Sequence, residues 1–178
     1  MIFDEFTLVY EGRLKANGNS NEKHNIRKVF HKQLRELNEK VPSVQNHIQQ
    51  FNAQTSSKIG SFNFIPIFSL DLGFTVNLDI TLLRPEARGQ QNIQSGDTDN
   101  RLKTLYDALK VPSNLSELPS GVIPESHENP FFCLLADDCQ IVNFRVSLKQ
   151  GFIHNISPIH TLMTIDVKIV NSSISFSI

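Results

Sequence analysis

Two short acidic stretches carry the chemical signal of this sequence. The first is Asp97-Thr98-Asp99-Asn100-Arg101-Leu102-Lys103, and the second is Asp137-Asp138-Cys139-Gln140. Asp97 and Asp99 stand at i,i+2. In an extended chain both carboxylates point to one side, because strand side chains repeat every second residue. Two carboxylates that converge without a counter-charge repel each other, and a divalent cation removes that conflict. Mg²⁺ suits such a site, since it takes a few carboxylates and completes its shell with water and phosphate oxygens. Lys103 follows Asp99 by four residues, one helical turn on along the same face. Its ammonium can neutralise the acids when no metal is bound, or face the charge of a transferring phosphoryl group. Asn100 can cap a helix or orient ligands. Each residue also fits a plain role: Asp97 or Asp99 as a helix cap, Lys103 as an i,i+4 partner of Asp99 or Asp107, Asp137-Asp138 as a turn.

The elements that must position these residues are legible from periodicity. Residues 6–10, Phe-Thr-Leu-Val-Tyr, read as a first strand. A turn-rich loop follows, and Asn19 with Glu22 has capping-box spacing for a helix ended by Val41-Pro42. Ile26, Val29, Phe30, Leu34 and Leu37 form its apolar stripe. Lys23, Arg27, His31 and Arg35 stack at i,i+4 on another face. Residues 43–51 allow one short helix, and Phe62, Phe64 and Ile65 a short strand closed by Pro66. The clearest strand alternates Phe74, Val76, Leu78, Ile80 and Leu82, with a loop over 84–96. A second main helix is expected from about Asp99 to Lys110, with Leu102, Leu105, Tyr106 and Leu109 as its stripe. A Pro-rich excursion over about 111–130 interrupts the chain. Strands are expected around 142–148, 163–169 and 174–178. Strands and helices do not alternate strictly, so the expected class is α+β, a mixed or antiparallel sheet with two main helices, in a single domain over 1–178.

Composition narrows the function. Seventeen basic and eighteen acidic side chains give a formal charge of −1, so a nucleic-acid binder here must rely on a local patch. Residues 11–40 hold eight basic and four acidic side chains, net +4, which leaves −5 for the rest. Arg13, Lys15, Lys23, Arg27, His31 and Arg35, with Asn100 and Arg101, are the expected DNA contacts. No apolar run approaches the ~20 residues of a membrane helix. The acidic start, Met1-Ile2-Phe3-Asp4-Glu5, is unlike a secretion signal. Cys133 and Cys139 lack a second pair and are expected as buried small apolar residues in a reduced, cytoplasmic setting. The histidines share no metal-ligand spacing, and no Ser-His-Asp arrangement stands out.

Asp97-x-Asp99-Asn100-x-x-Lys103, then Asp107-Ala108-Leu109, then Asp137-Asp138-x-Gln140-Ile141-Val142, resembles the RusA family of Holliday-junction resolvases over about residues 74–149. The resemblance implies a homodimeric α+β endonuclease that uses Mg²⁺ or Mn²⁺ to nick symmetric strands of four-way DNA junctions in recombination and repair. It implies Asp97, Asp99 and Asp138 as catalytic, metal-binding carboxylates, Lys103 as the essential lysine, and a lesser metal-site role for Asp137. The chain departs from the family pattern in its 111–130 insertion, in Leu14-Lys15-Ala16-Asn17-Gly18 where a proline–asparagine motif is usual, and in the uncharged stretch 89–94 where the family carries a basic run. Two rival readings stand beside it. One is a structure-selective nuclease on flaps or forks, of phage or defence origin. The other is a non-catalytic DNA- or protein-binding module with a structural acidic cluster.

Overall fold

The structure is a computed structural model that describes residues 4–84, 95–151 and 160–171. Its strands are β1 (Glu5–Gly12), β2 (Ser57–Ile59), β3 (Phe62–Phe68), β4 (Phe74–Arg84), β5 (Phe131–Leu135), β6 (Ile141–Gln150) and β7 (Thr161–Asn171). Its helices are α1 (Ser20–Lys40), α2 (Pro42–Thr55) and α3 (Ser95–Leu109). The α+β class holds, with two sheets where one was expected. The larger sheet has the order β1-β7-β4-β6, and the smaller β2-β3-β5. In the larger sheet β7 runs antiparallel to β1 and β4, while β4 and β6 are parallel.

Local chemistry explains the boundaries. The Asn19 side chain accepts from the Glu22 amide at 3.0 Å and Glu22 accepts from the Asn19 amide at 3.0 Å, the reciprocal cap that starts α1. Pro42 opens α2, where a missing N–H costs nothing. The expected stop at Pro66 does not occur: β3 runs on to Phe68. The β2 ladder ends at Phe64, so the absent Pro66 amide leaves no described partner wanting on that side. The expected strand over 174–178 lies outside the described residues.

The main core lies between the larger sheet and the helices. Leu8, Val76, Leu78, Ile80, Met163, Ile165 and Val167 meet Ile26, Phe30 and Leu34 of α1 and Leu102, Leu105 and Leu109 of α3. A second cluster joins Phe62, Phe64, Phe131 and Cys133 of the smaller sheet to Val111 and Leu118. That cluster gives the 111–130 insertion its role as the cover of the smaller sheet. Helix α1 is wedged between both cores. Its Lys28 holds Glu125 and Glu128 of the insertion at 2.9 and 2.8 Å.

This wedge takes Arg27 and His31 out of the expected DNA-contacting stripe and leaves Lys23 and Arg35 partly exposed. Arg27 is 1% exposed and donates through Nη2 to the Asp107 carbonyl at 2.8 Å. His31 is fully buried and stacks on Phe131, with ring centroids 4.3 Å apart. Its Nδ1 accepts from the Phe132 amide at 2.9 Å, which leaves Nε2 to donate to the His127 carbonyl at 3.1 Å. Lys23 pairs with Asp107 at 2.6 Å, and Arg35 reaches the His127 carbonyl at 3.3 Å and Glu39 at 3.3 Å. The four side chains bind α1 to its own protein because a helix between two sheets buries two faces.

Candidate functional site

The Asp137-Asp138 turn is built by a keystone. Asp137 accepts through Oδ1 from the Cys139 amide at 2.9 Å and caps a single 3₁₀ turn over Asp138–Gln140. Gln140 is fully buried, and its Oε1 accepts from the amides of Ala136 and Asp137 at 2.8 and 3.0 Å. Its Nε2 donates to the Phe74 carbonyl at 3.1 Å, which ties the turn to the start of β4. One oxygen of Asp137 is thus spent on the cap. Asp138 is left to project from a fixed backbone, and of the pair it is the better placed to act as a ligand.

The ammonium against this pair is Lys110, just past the end of α3. Its Nζ lies 3.0 Å from Asp138 Oδ1 and 4.0 Å from Asp137 Oδ2. Burial works against the charged lysine, but the hydrogen bond to Asp138 and the fields of Asp138, Asp137 and Asp107 outweigh it and raise its pKa. Hydrogen bonds from the Cys139 thiol and amide, then the charge of Lys110, hold the Asp137 carboxyl below the usual carboxylate range. The same acid raises the Cys139 thiol, which is exposed rather than buried as expected. Cys133 is buried as expected, and burial pushes its thiol up to about 12.

The other acidic stretch falls on the first turns of α3, which begins at Ser95 rather than near Asp99. Positions 97 and 99 of a helix stand roughly 200° apart around its axis. The extended-chain geometry expected for them therefore does not apply. The side chain of Asp97 falls outside the described residues. Asp99 is exposed, as is Lys103 one turn on. From Asp99 to the helix end at Leu109 is ten residues, about 15 Å of axis. Asp99, Lys103, Asp107 and Lys110 follow one another at helical spacing, so charges of alternating sign run from the first acidic stretch to the second.

Beside the head of α3 the structure seats the loop after β1. Arg101 Nη1 donates to the Leu14 carbonyl at 2.9 Å, and the Gly18 amide donates to Thr104 Oγ1 at 2.9 Å. Thr104 in turn donates to the Asn100 carbonyl at 3.1 Å. Asn17 takes a left-handed backbone, with φ of 52°. A Cβ on Gly18 would stand 2.6 Å from Thr104 Cγ2, so only glycine fits this approach. Arg13, exposed, and Lys15, ion-paired with Glu22, thereby share one neighbourhood with Asn100, Arg101, Asp99 and Lys103.

Of the expected site residues, the structure gathers Arg13, Lys15, Asn100 and Arg101 around the head of α3, and Asp137 and Asp138 at its far end. Arg27 and His31 are drawn into the protein, and Lys23 and Arg35 stay partly exposed in ion pairs with Asp107 and Glu39. Sequence reasoning missed Lys110, and it named Gln140 in the motif without its buried bridging role. Asp137-x-x-Gln140 has the capping-box spacing that located the start of α1, and that signal could have shown the role. Among the described residues, no three His, Cys, Asp or Glu side chains stand together to hold a metal. The oxygen donors Asp99 and Asp138 fit a hard divalent cation by type, and Mg²⁺ is commonly held by one or two carboxylates with water and phosphate oxygens. No protein-family model matches the chain, and no curated protein matches it. Among the described residues, no helix is long and apolar enough to cross a membrane.

Proposed function

We propose that this chain is a RusA-like endonuclease that nicks phosphodiester bonds in branched DNA, with Mg²⁺ or Mn²⁺ as cofactor. The observation that carries the reading is the Asp137–Gln140 cap. It gives the acidic pair and its glutamine a physical reason to occur together, with Asp138 left outside the cap. The motif order Asp97, Asp99, Lys103, Asp137-Asp138 supports the same reading. On this reading Asp97 and Asp99, at the head of α3, hold the cation together with Asp138 of a second copy, since about 15 Å of helix axis separates Asp99 from the Asp138 end within one chain, and Asp137 supports Asp138. The cation supplies Lewis-acid chemistry at the scissile phosphate.

The chain's own residues then have separable tasks. Lys103, exposed one turn from Asp99, faces the negative charge that develops on the phosphate. Lys110 holds the counter-charge of Asp138 when no cation is bound. Arg13, Lys15 and Arg101 meet DNA phosphates beside the head of α3. A homodimer presents two such sites to the two symmetric strands of a junction. Recombination and repair in the cytoplasm are the setting this activity implies. The non-catalytic reading draws support from the Lys110–Asp138 ion pair, which is a sufficient structural role for Asp138.

Nicking of four-way junction, flap and plain duplex substrates, each titrated with Mg²⁺, tests these readings together. The proposal expects Mg²⁺-dependent nicking of the junction, reduced by roughly two orders of magnitude in Asp99→Asn and in Asp138→Asn. Preference for flaps keeps the chemistry and changes the substrate. A wild-type rate in either variant, or no response to metal, overturns the catalytic assignment.

A further inference from the structure

Strand β6 is an edge strand among the described residues, since the order β1-β7-β4-β6 gives it one neighbour. It is ten residues long and carries three exposed large apolar residues, Val142 at 57%, Phe144 at 54% and Leu148 at 41%. A register shift at Val76/Asn77 sets Val142 apart as an extra residue. Beyond it the pairing is regular, with Phe144, Val146 and Leu148 beside Leu78, Ile80 and Leu82. The exposed row therefore continues the apolar face of the main core to the sheet's rim. Tyr106 of α3 stands against it, edge-on to Phe144 with centroids 5.7 Å apart. Long apolar edges are templates for further strands, and proteins usually defend them with unpaired charge. Here Arg145 lies 3.6 Å from Asp79 on the neighbouring strand, and the one other charge, exposed Lys149, stands at the strand's end, past the apolar row.

We infer that β6 is the seam between two copies of this chain, paired antiparallel about a two-fold axis at Val146. The sequence of β6 is self-complementary in that register. Val146 meets its own copy, and Phe144 faces the partner's Leu148. On the opposite face Arg145 meets the partner's Ser147, and Asn143 meets the partner's Lys149. A centre on Arg145 would set two guanidinium groups opposite each other, and a centre on Ser147 would set Arg145 opposite the partner's Lys149. Like charges directly opposite are destabilising, which disfavours both. A centre on Phe144 leaves Leu148 beyond the paired apolar row and draws the extra residue Val142 into the ladder. The result is a continuous eight-stranded sheet whose two apolar faces lie on one side. The seam deepens the dimeric nuclease reading and takes from it the two-fold partner alone.

The test uses the full chain with Cys139→Ser, so that only the introduced thiol is exposed. Opposed residues in an antiparallel pair have Cα atoms about 4.5–5.5 Å apart, within disulfide reach. Val146→Cys is expected to crosslink to its own copy on mild oxidation, and Ser147→Cys, which faces the partner's Arg145, is not. Light scattering after gel filtration is expected to give a dimer mass for the parent and a monomer mass for Phe144→Asp. If Phe144→Asp misfolds, the crosslinking contrast still decides. A monomeric parent, or a dimer in which Val146→Cys crosslinks no better than Ser147→Cys, overturns the seam. Asp99→Asn is expected to crosslink normally through Val146→Cys, so loss of nicking and loss of the seam are read independently.

Discussion

The Lys110 ammonium lies 3.0 Å from Asp138 Oδ1, while the neighbouring Asp137 spends its own Oδ1 on the Cys139 amide. The ion pair and the cap divide the work of the two acids. Asp137 fixes the backbone, and Asp138 offers a charge that a lysine answers in the absence of metal. On the proposed reading Lys110 competes with a cation for Asp138. Lys110→Met is expected to raise Mn²⁺ affinity several-fold, about 1 kcal/mol, measured by calorimetry or by water-proton relaxation. Lys103→Met is expected to leave Mn²⁺ affinity unchanged and to slow nicking. Equal Mn²⁺ affinity in Lys110→Met and the parent counts against Asp138 as a ligand.

Gln140 satisfies two amides and a carbonyl from a fully buried position. Gln140→Ala leaves these groups without their partner. A loss of about 1–3 kcal/mol in unfolding free energy is expected, measured by urea denaturation. Asp137→Ala removes only the cap and is expected to cost about 1 kcal/mol. If Gln140→Ala is as stable as the parent, the keystone role is wrong.

Salt dependence separates the two groups of cations. Each phosphate neutralised adds about 0.9 to the slope of log K against log salt for duplex DNA. The double variant Arg13→Ala, Lys15→Ala is expected to flatten the slope by up to about 2. Arg27→Met is expected to leave it unchanged, because that guanidinium is enclosed between α1 and α3. A flattened slope in a folded Arg27→Met protein would return the stripe to the DNA.

Acid should loosen the wedge around α1. His24 is buried against Phe62 and Phe131, with no hydrogen-bond partner for either ring nitrogen among the described residues, and burial pushes its pKa down to about 4. Burial also lowers His31, whose Nδ1 must stay unprotonated to accept from Phe132. Both groups take up protons more readily when unfolded. Their contribution is therefore complete above about pH 6.5 and is lost as pH falls from there, for His24 down to about 4. His24→Phe is expected to retain stability across that window, with the gain over the parent larger at pH 5 than at pH 7.5. Thermal melts at the two pH values check this, and an identical gain at both contradicts it.

The sequence was most readable where one face of an element is apolar and the other wet. Alternation from Phe74 to Leu82 placed β4, and the Asn19–Glu22 cap placed the start of α1. Helix α1 itself misled, because it packs on both sides. Its second buried face carries His24, Arg27 and His31, whose polar atoms look like a solvent face to any periodicity rule. The role of the insertion was hidden for the same reason: Val111 and Leu118 find their partners, Phe62 and Phe131, only through the sheet that forms around them. Lys110 was hidden because its partner, Asp138, lies 28 residues on and returns through β5. The motif residues were legible by type and order, but helical placement of Asp97 and Asp99 depends on where α3 begins, and Ser95, Asp97 and Asp99 all fit the N-cap position by type.

Crystals grown with Mn²⁺ and a four-way junction, measured at the manganese edge, test the central claim most directly. The account predicts an anomalous peak at coordination distance, about 2.1–2.5 Å, from carboxylate oxygens of Asp99 in one copy and Asp138 in a second, with the Lys110 ammonium drawn away from Asp138. Manganese bound elsewhere, with Asp138 still paired to Lys110 and Asp99 facing solvent, would contradict it.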